Sequence, residues 1–107
     1  MQLYPMKLIT VVGEEVLRDQ VMRKIMELGA TGCSYASTQG VGSHGERYND
    51  VFSANFQLKA VCTAKVAETI FGYLSEHYFG RYAVVAWLSD VEVLREAHFI
   101  KKTGKVS

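Results

Sequence analysis

The chain has 107 residues, of which 49% are hydrophobic and only one is proline, so we expect a single compact domain over residues 1–107. Twelve lysine and arginine residues against 11 acidic residues argue against general nucleic-acid binding, because nucleic-acid-binding domains concentrate positive charge on one face. The apolar runs are too short to span a membrane, and the N-terminus lacks the layout of a signal peptide. A cytoplasmic location is therefore predicted.

The cysteines and histidines lack the spacing of a metal site. Cys33 and Cys62 fall on separate predicted strands without a CxxC motif, so we expect two small buried apolar side chains. His44, His77 and His98 show no ligand spacing with one another. The sequence predicts neither a redox pair nor a zinc site.

The first half of the chain predicts a strand, a helix and a second strand. Residues 6–12 are rich in β-branched side chains and end at Gly13, which predicts the first strand. From Glu14 apolar residues recur every three to four positions, which predicts a helix that Gly29 closes. A second strand is expected at about residues 33–38.

The second half predicts a strand, a helix and a strand. Residues 55–62 alternate, with Phe56, Leu58, Ala60 and Cys62 on one face. Thr63 is expected to cap a second helix that Gly80 ends. The continuous apolar run 83–88 predicts a fourth strand that is central or covered on both faces. Within the tail 91–100 we expect one more short extended piece, and residues 101–107 form a polar end.

This order, βαββαβ, predicts an α+β ferredoxin-like fold, with two helices on one face of a four-stranded antiparallel sheet. Tyr35, Val61, Val85 and Trp87 are expected to line the other face. A small monomer rarely exposes that much apolar surface, so self-association is predicted.

The polar segment between the second and third strands is punctuated by glycine. Gly40 and Gly42 can turn backbone N–H groups toward an anion, and Arg47 supplies positive charge, as in a phosphate-binding or switch loop. The alternative is an ordinary hairpin connection that needs glycine for its turns. Because residues 43–54 contain few large apolar anchors, we expect them to be mobile without a ligand.

Four short motifs join the element order: Gly-Ala-Thr-Gly-Cys-Ser at 29–34, Gly-Val-Gly at 40–42, His-Tyr-Phe-Gly-Arg-Tyr-Ala at 77–83 and Glu-Val-Leu-Arg at 92–95. Over nearly its whole length the chain thereby resembles the PII signal-transduction superfamily, most closely the PII-like branch associated with bicarbonate transporters and carboxysomes. The resemblance implies a homotrimer with inward-facing sheets that binds adenine nucleotides in the clefts between subunits. It also implies that the loop 39–54, called the T-loop, changes conformation with the ligand and docks on a protein partner, such as a transporter or a carbon-fixation component.

Carried over position by position, the resemblance implies ten nucleotide-binding residues. Adenine and ribose would lie near Gly32 and Ser34, while the loop base at 40–43 and Arg95 would face the phosphates. The short loop 80–82 before the fourth strand and a basic position of the T-loop complete the site. The full set is Gly32, Ser34, Gly40, Gly42, Ser43, Arg47, Gly80, Arg81, Tyr82 and Arg95. For bicarbonate beside the phosphates, the candidates are His44, Arg47 and Arg95.

Three departures from the nitrogen-regulatory members bear on the ligand. Ser43 stands where they have a basic residue, Arg81-Tyr82 replaces a turn that ends in lysine, and Ala97 replaces a second C-terminal arginine. Fewer cations compensate a triphosphate less well, which favours AMP or ADP over ATP. Tyr48 is not in the sequence context of the tyrosine modified in those relatives.

Two classes of function stay open at this stage. The leading interpretation is a non-enzymatic sensor whose ligand sets the state of the loop. The alternative is a small ferredoxin-like enzyme or a trimeric metal-binding or metal-tolerance protein, since this fold carries many functions. Against an enzyme, the sequence offers no nucleophile paired with a base and no close pair of carboxylates.

Overall fold

The computed structural model describes residues 1–39 and 54–101. Its elements in chain order are β1 (Tyr4–Glu14), a 3₁₀ turn (Glu15–Leu17), α1 (Arg18–Glu27), β2 (Ser34–Gln39), β3 (Ala54–Cys62), α2 (Ala64–His77), β4 (Val85–Val93) and a second 3₁₀ turn (Glu96–Phe99). The predicted α+β class with ferredoxin-like order βαββαβ is confirmed. Residues 40–53 of the predicted loop, with Gly40, Gly42, Ser43, His44, Arg47 and Tyr48, and the tail 102–107 lie outside the described residues.

All strand pairs of the sheet are antiparallel, in the order β2-β3-β1-β4. The prediction that the fourth strand is central is therefore wrong, because β4 forms one edge and pairs only with β1 in the described sheet. The strand also begins later than expected and continues to Val93, after which the tail turns into a 3₁₀ helix instead of a further extended piece. The apolar run that suggested a central strand includes Val85, Trp87 and Leu88, all of which are exposed.

The core lies between the two helices and one face of the sheet. The predicted alternation of β3 is confirmed, since Phe56, Leu58, Ala60 and Cys62 are at most 3% exposed. These side chains pack with buried residues of β1 and the helices, among them Ile9, Val11, Val21, Ile25, Ala67, Ile70 and Leu74. Burying such apolar side chains is the main favourable contribution to folding.

The other face of the sheet has no helix over it in the described chain. Residues paired directly across antiparallel strands share a face, so the register assigns each side chain to one side. Lys59 and Val61 alternate with the buried side chains of β3, so they lie on the open face, as does Leu8, which pairs with Val61. Trp87 lies on the same face, because Trp87 and Lys59 both pair with Thr10. Its apolar members include Met6, Leu8, Val12, Val61, Val85, Trp87 and Val91.

Tyr35 does not belong to this open face, contrary to the prediction. It pairs with Leu58, which is buried under the helices, and the Arg18 guanidinium lies 4.4 Å from the centre of its ring. β2 carries small polar side chains on both faces, so nothing in its own sequence indicates which face Tyr35 takes. The pairing of β2 with β3 determines the face on which Tyr35 lies.

β1 continues through Gly13 to Glu14, so the expected end of this strand at Gly13 is wrong. The glycine serves close packing there, because a Cβ would lie 3.0 Å from both a Phe56 ring carbon and a Val84 methyl carbon. The following turn is 3₁₀ and the α-helix starts only at Arg18. Leu17 precedes the helix, and its apolar side chain cannot cap the free N–H groups of the first turn.

Gly29 ends α1 as predicted. Its φ of 129° lies in a region that glycine alone enters readily. The Gly29 amide donates to the Met26 carbonyl at 3.3 Å and the Ala30 amide to the Ile25 carbonyl at 3.2 Å, which is the pair of hydrogen bonds of a Schellman motif. A Cβ at this position would also lie 3.0 Å from a Val66 methyl carbon.

We expect Gly29→Ala to lower the free energy of unfolding by about 2 kcal/mol, because an L side chain is strained at this φ and meets Val66. Gly72→Ala is the matched control, since Gly72 lies within α2 and a Cβ there has no heavy atom within 4 Å. That control is expected to raise the free energy by about 0.5–1 kcal/mol. Equilibrium urea unfolding measures both; equal effects of the two substitutions would contradict the assignment of Gly29 as a strained cap.

α2 begins as predicted, with the Val66 amide donating to the Thr63 hydroxyl oxygen at 3.2 Å. The helix ends at His77, three residues before the predicted end at Gly80. Tyr78 leaves the helical conformation with φ −124°, and its amide and that of Phe79 both donate to the Leu74 carbonyl. Residues 79–84 therefore form a loop between α2 and β4.

Candidate functional site

Gly32 and Ser34 lie at the start of β2, on the outer edge of the sheet. Ser34 pairs with Lys59 and is exposed, because β3 is the only strand beside β2 in the described chain. A Cβ on Gly32 would meet no heavy atom within 4 Å. Packing within the chain therefore does not require glycine here, and the backbone is open to approach from outside.

Gly80, Arg81 and Tyr82 form the exposed loop between α2 and β4. The amides of Arg81 and Tyr82 both donate to the carbonyl oxygen of Tyr78, at 3.0 and 2.9 Å. A Cβ on Gly80, as on Gly32, would meet nothing within 4 Å. This loop lies near the end of the sheet where β2 ends at Gln39 and β3 begins at Ala54, since Val85 pairs with Val12 and Val12 with Gln57.

Arg95 lies just beyond the other end of β4 and precedes the second 3₁₀ turn. It is exposed, and its carbonyl accepts a hydrogen bond from the His98 amide at 3.2 Å. Further on, the Lys101 ammonium donates to the Met26 carbonyl at 2.8 Å, which places a positive charge at the C-terminal end of α1, where the helix dipole favours one. The C-terminal segment is thus attached to the end of the first helix.

One chain does not gather the described site residues into one place. Three strand spacings separate β2 from β4, about 14 Å across the sheet. Along β4, the row that contains Val85 and the row that contains Val93 are about 27 Å apart. Gly32 and Ser34, the loop 80–82, and Arg95 therefore occupy three separate positions, and their side chains form no hydrogen bond with one another within the described residues.

A polar network that the sequence analysis missed holds β2 to the beginning of α1. Arg18 Nη1 donates to Glu15 Oε2 at 2.7 Å and Arg18 Nε to Asp19 Oδ1 at 3.2 Å, while its guanidinium stacks on Tyr35. The Ser37 hydroxyl donates to Glu15 Oε1 at 3.3 Å. Tyr35 and Ser37 are two apart on the strand and so share a face, but only the register identifies that face as the one toward α1.

The described residues give no support to metal or thiol chemistry. Burial raises the pKa of the Cys33 and Cys62 thiols, so both stay protonated near neutral pH. No group of three His, Cys, Asp or Glu side chains that could hold a metal ion occurs within residues 1–39 and 54–101. In the same ranges, no helix is long and apolar enough to cross a membrane.

Comparison with known proteins identifies the family. The family model of nitrogen regulatory protein P-II matches residues 6–98. A PII-like signaling protein from Thermus thermophilus is 35% identical, with a TM-score of 0.80 over 94% of this chain and 100% of that chain. No curated protein matches the sequence. The chain therefore belongs to the PII family, in its PII-like branch.

More distant structures share the fold. CPII from Thiomonas intermedia K12, solved with ADP and bicarbonate, is 20% identical with a TM-score of 0.80 over 92% of this chain and 97% of that chain. The same protein solved with ADP, AMP and acetate is 19% identical, also with a TM-score of 0.80, over 92% of this chain and 98% of that chain.

Proposed function

We propose that this chain is a non-enzymatic PII-like regulator that forms a homotrimer and binds AMP or ADP, together with bicarbonate, in clefts between its subunits. The ligand sets the state of the loop 39–54, and this loop docks on a protein of inorganic-carbon uptake or fixation. Gly32, Ser34, Gly40, Gly42, Ser43, Arg47, Gly80, Arg81, Tyr82 and Arg95 contact the nucleotide. His44, Arg47 and Arg95 contact bicarbonate.

The open sheet face supports the trimer. Val85 is 57% exposed and Trp87 is 46% exposed, on the face that no described helix covers. Packing three such faces together would remove this apolar surface from water, at about 25 cal/mol for each Å² buried. The same packing would bury the open face of β4 against the neighbouring subunits, so that β4 would be covered on both faces, as its apolar sequence suggests.

The positions of the site residues carry the proposal of a cleft between subunits. Gly32 and Ser34 lie beside one edge strand, whereas the loop 80–82 and Arg95 flank the opposite edge strand. Two neighbouring copies can place the β2 edge of one against β4 of the other. The open space beside Gly32 and Gly80 supports the same arrangement, because both backbones remain accessible in the single chain.

The choice of ligand follows from family membership and from the charges of this chain. CPII has been solved with ADP, AMP and bicarbonate, which makes these the first ligands to test. Arg81 and Arg95 are the cations among the described site residues, so a mono- or diphosphate is compensated better than a triphosphate.

We expect isothermal titration to show that AMP or ADP binds at least about tenfold more tightly than ATP, because one poorly compensated phosphate costs roughly 1.5 kcal/mol. Added bicarbonate should raise the affinity, and bound nucleotide should slow tryptic cleavage at Arg47. Titration of magnesium sulfate with the same protein controls for nonspecific anion binding. Absence of heat with every adenine nucleotide would contradict the proposed function.

A further inference from the structure

Tyr78 connects the loop before β4 to the first helix. Its phenol donates to Gln20 Oε1 on α1 at 2.8 Å, and the residue is 5% exposed. On the other side, its carbonyl oxygen accepts both the Arg81 and the Tyr82 amides. The backbone hydrogen bonds that define this turn therefore converge on a residue that is itself tied to α1.

Side-chain packing adds to the same connection. The Tyr82 ring centroid lies 5.4 Å from that of Tyr78, in the tilted arrangement that aromatic pairs favour. Phe79, Gly80 and Arg81 are exposed. Burial raises the pKa of the Tyr78 phenol, with a further contribution from Tyr73 and Tyr82, so the phenol keeps the proton it donates to Gln20.

We infer that Tyr78 and Gln20 are positioning residues that hold the loop 79–82 in the arrangement in which the Arg81 side chain receives the nucleotide phosphates. This inference rests on the proposed nucleotide site. A loop that is already ordered loses less conformational entropy when the ligand binds, so the anchor raises affinity without touching the ligand.

The test compares four variants with the wild-type trimer. Tyr78→Phe and Gln20→Ala each remove the phenol–amide hydrogen bond, and we expect each to bind ADP about fivefold more weakly, equivalent to about 1 kcal/mol. Gln20→Glu keeps an acceptor oxygen at the same place and should bind ADP like wild type. Tyr73→Phe is the matched control. Tyr73 lies on α2 with its ring near that of Tyr78, but the Tyr73 hydroxyl makes no hydrogen bond within the described residues.

Hydrogen exchange of the Arg81 and Tyr82 amides, measured without nucleotide, provides a second readout. Exchange should accelerate in Tyr78→Phe and Gln20→Ala while the β1 and β3 amides stay as protected as in wild type, which distinguishes local loosening from general destabilisation. Should Tyr78→Phe fail to fold, Gln20→Ala remains informative, because Gln20 is exposed and alanine favours a helix.

The outcomes separate this inference from the function on which it rests. Wild-type ADP affinity in Gln20→Ala, with unchanged exchange at residues 81 and 82, would overturn the positioning role while leaving the nucleotide site intact. If wild-type protein itself binds no adenine nucleotide, both the function and the role of the anchor in binding are wrong. Weaker binding with faster loop exchange, restored in Gln20→Glu, supports the inference.

Discussion

Trp87→Asp is expected to dissociate the proposed trimer into folded monomers. In the single chain Trp87 lies on the open face and is 46% exposed, so a carboxylate there stays in water and the subunit keeps its fold. In a trimer with inward-facing sheets, the same carboxylate would be buried without a partner, which costs several kcal/mol. Light scattering coupled to gel filtration should show the mass fall from three times to one times the 12.0 kDa of the chain.

Val16→Asp is the matched control for this substitution. Val16 is also a large exposed apolar residue, at 78%, but it lies in the 3₁₀ turn between β1 and α1, away from the open sheet face. The Val16→Asp variant should remain trimeric. A Trp87→Asp variant that also keeps the trimer mass would contradict assembly through this face.

Arg95→Ala is expected to weaken AMP and ADP binding by about 1.5–3 kcal/mol, or roughly ten- to a hundredfold, because a charge-assisted contact to phosphate is lost. Arg95 is exposed and its side chain forms no ion pair within the described residues, so the subunit should fold as before. Lys65→Ala is the control, since it removes one exposed positive charge from the first turn of α2. Calorimetry on both variants measures the effect, and unchanged affinity in Arg95→Ala would remove this residue from the site.

Local patterns predicted the fold where a single element carried enough information. The alternation from Phe56 to Cys62 predicts which face of β3 is buried. Thr63 and Gly29 predict helix ends, because threonine and glycine are residue types that commonly cap helices, and both do so here. The expected strand end at Gly13 is wrong because the sequence alone does not distinguish a glycine required for close packing from a glycine that ends a strand.

Properties that depend on pairing between strands were not predictable in the same way. β4 has the composition of a central strand, but the strand order makes it an edge, and its exposed Val85 and Trp87 face away from the chain's own helices. Tyr35 was assigned to the wrong face because β2 lacks a hydrophobic alternation, so only its register with β3 decides the matter.

The candidate site was open to prediction only through resemblance to a family. Gly32, Arg81 and Arg95 are far apart in the sequence and occupy separate positions in the chain, so no local pattern relates them. The Tyr78–Gln20 hydrogen bond joins residues 58 positions apart and has no periodic signature. Such a contact forms only once α1 and the residue that follows α2 are brought together by packing on the same face of the sheet.

Mixed trimers test most directly whether the site lies between subunits. The first component is Arg95→Ala. The second is Gly32→Leu, which the fold should accept because Gly32 has open space and no positive φ, and which should block the ligand's approach.

Each variant alone should bind ADP weakly at every cleft. In a co-expressed mixed trimer, one cleft combines the intact β2 edge of one chain with the intact Arg95 of its neighbour, so ADP calorimetry is predicted to recover one site of wild-type affinity per trimer. A mixed trimer that recovers no such site would contradict a nucleotide cleft shared between subunits.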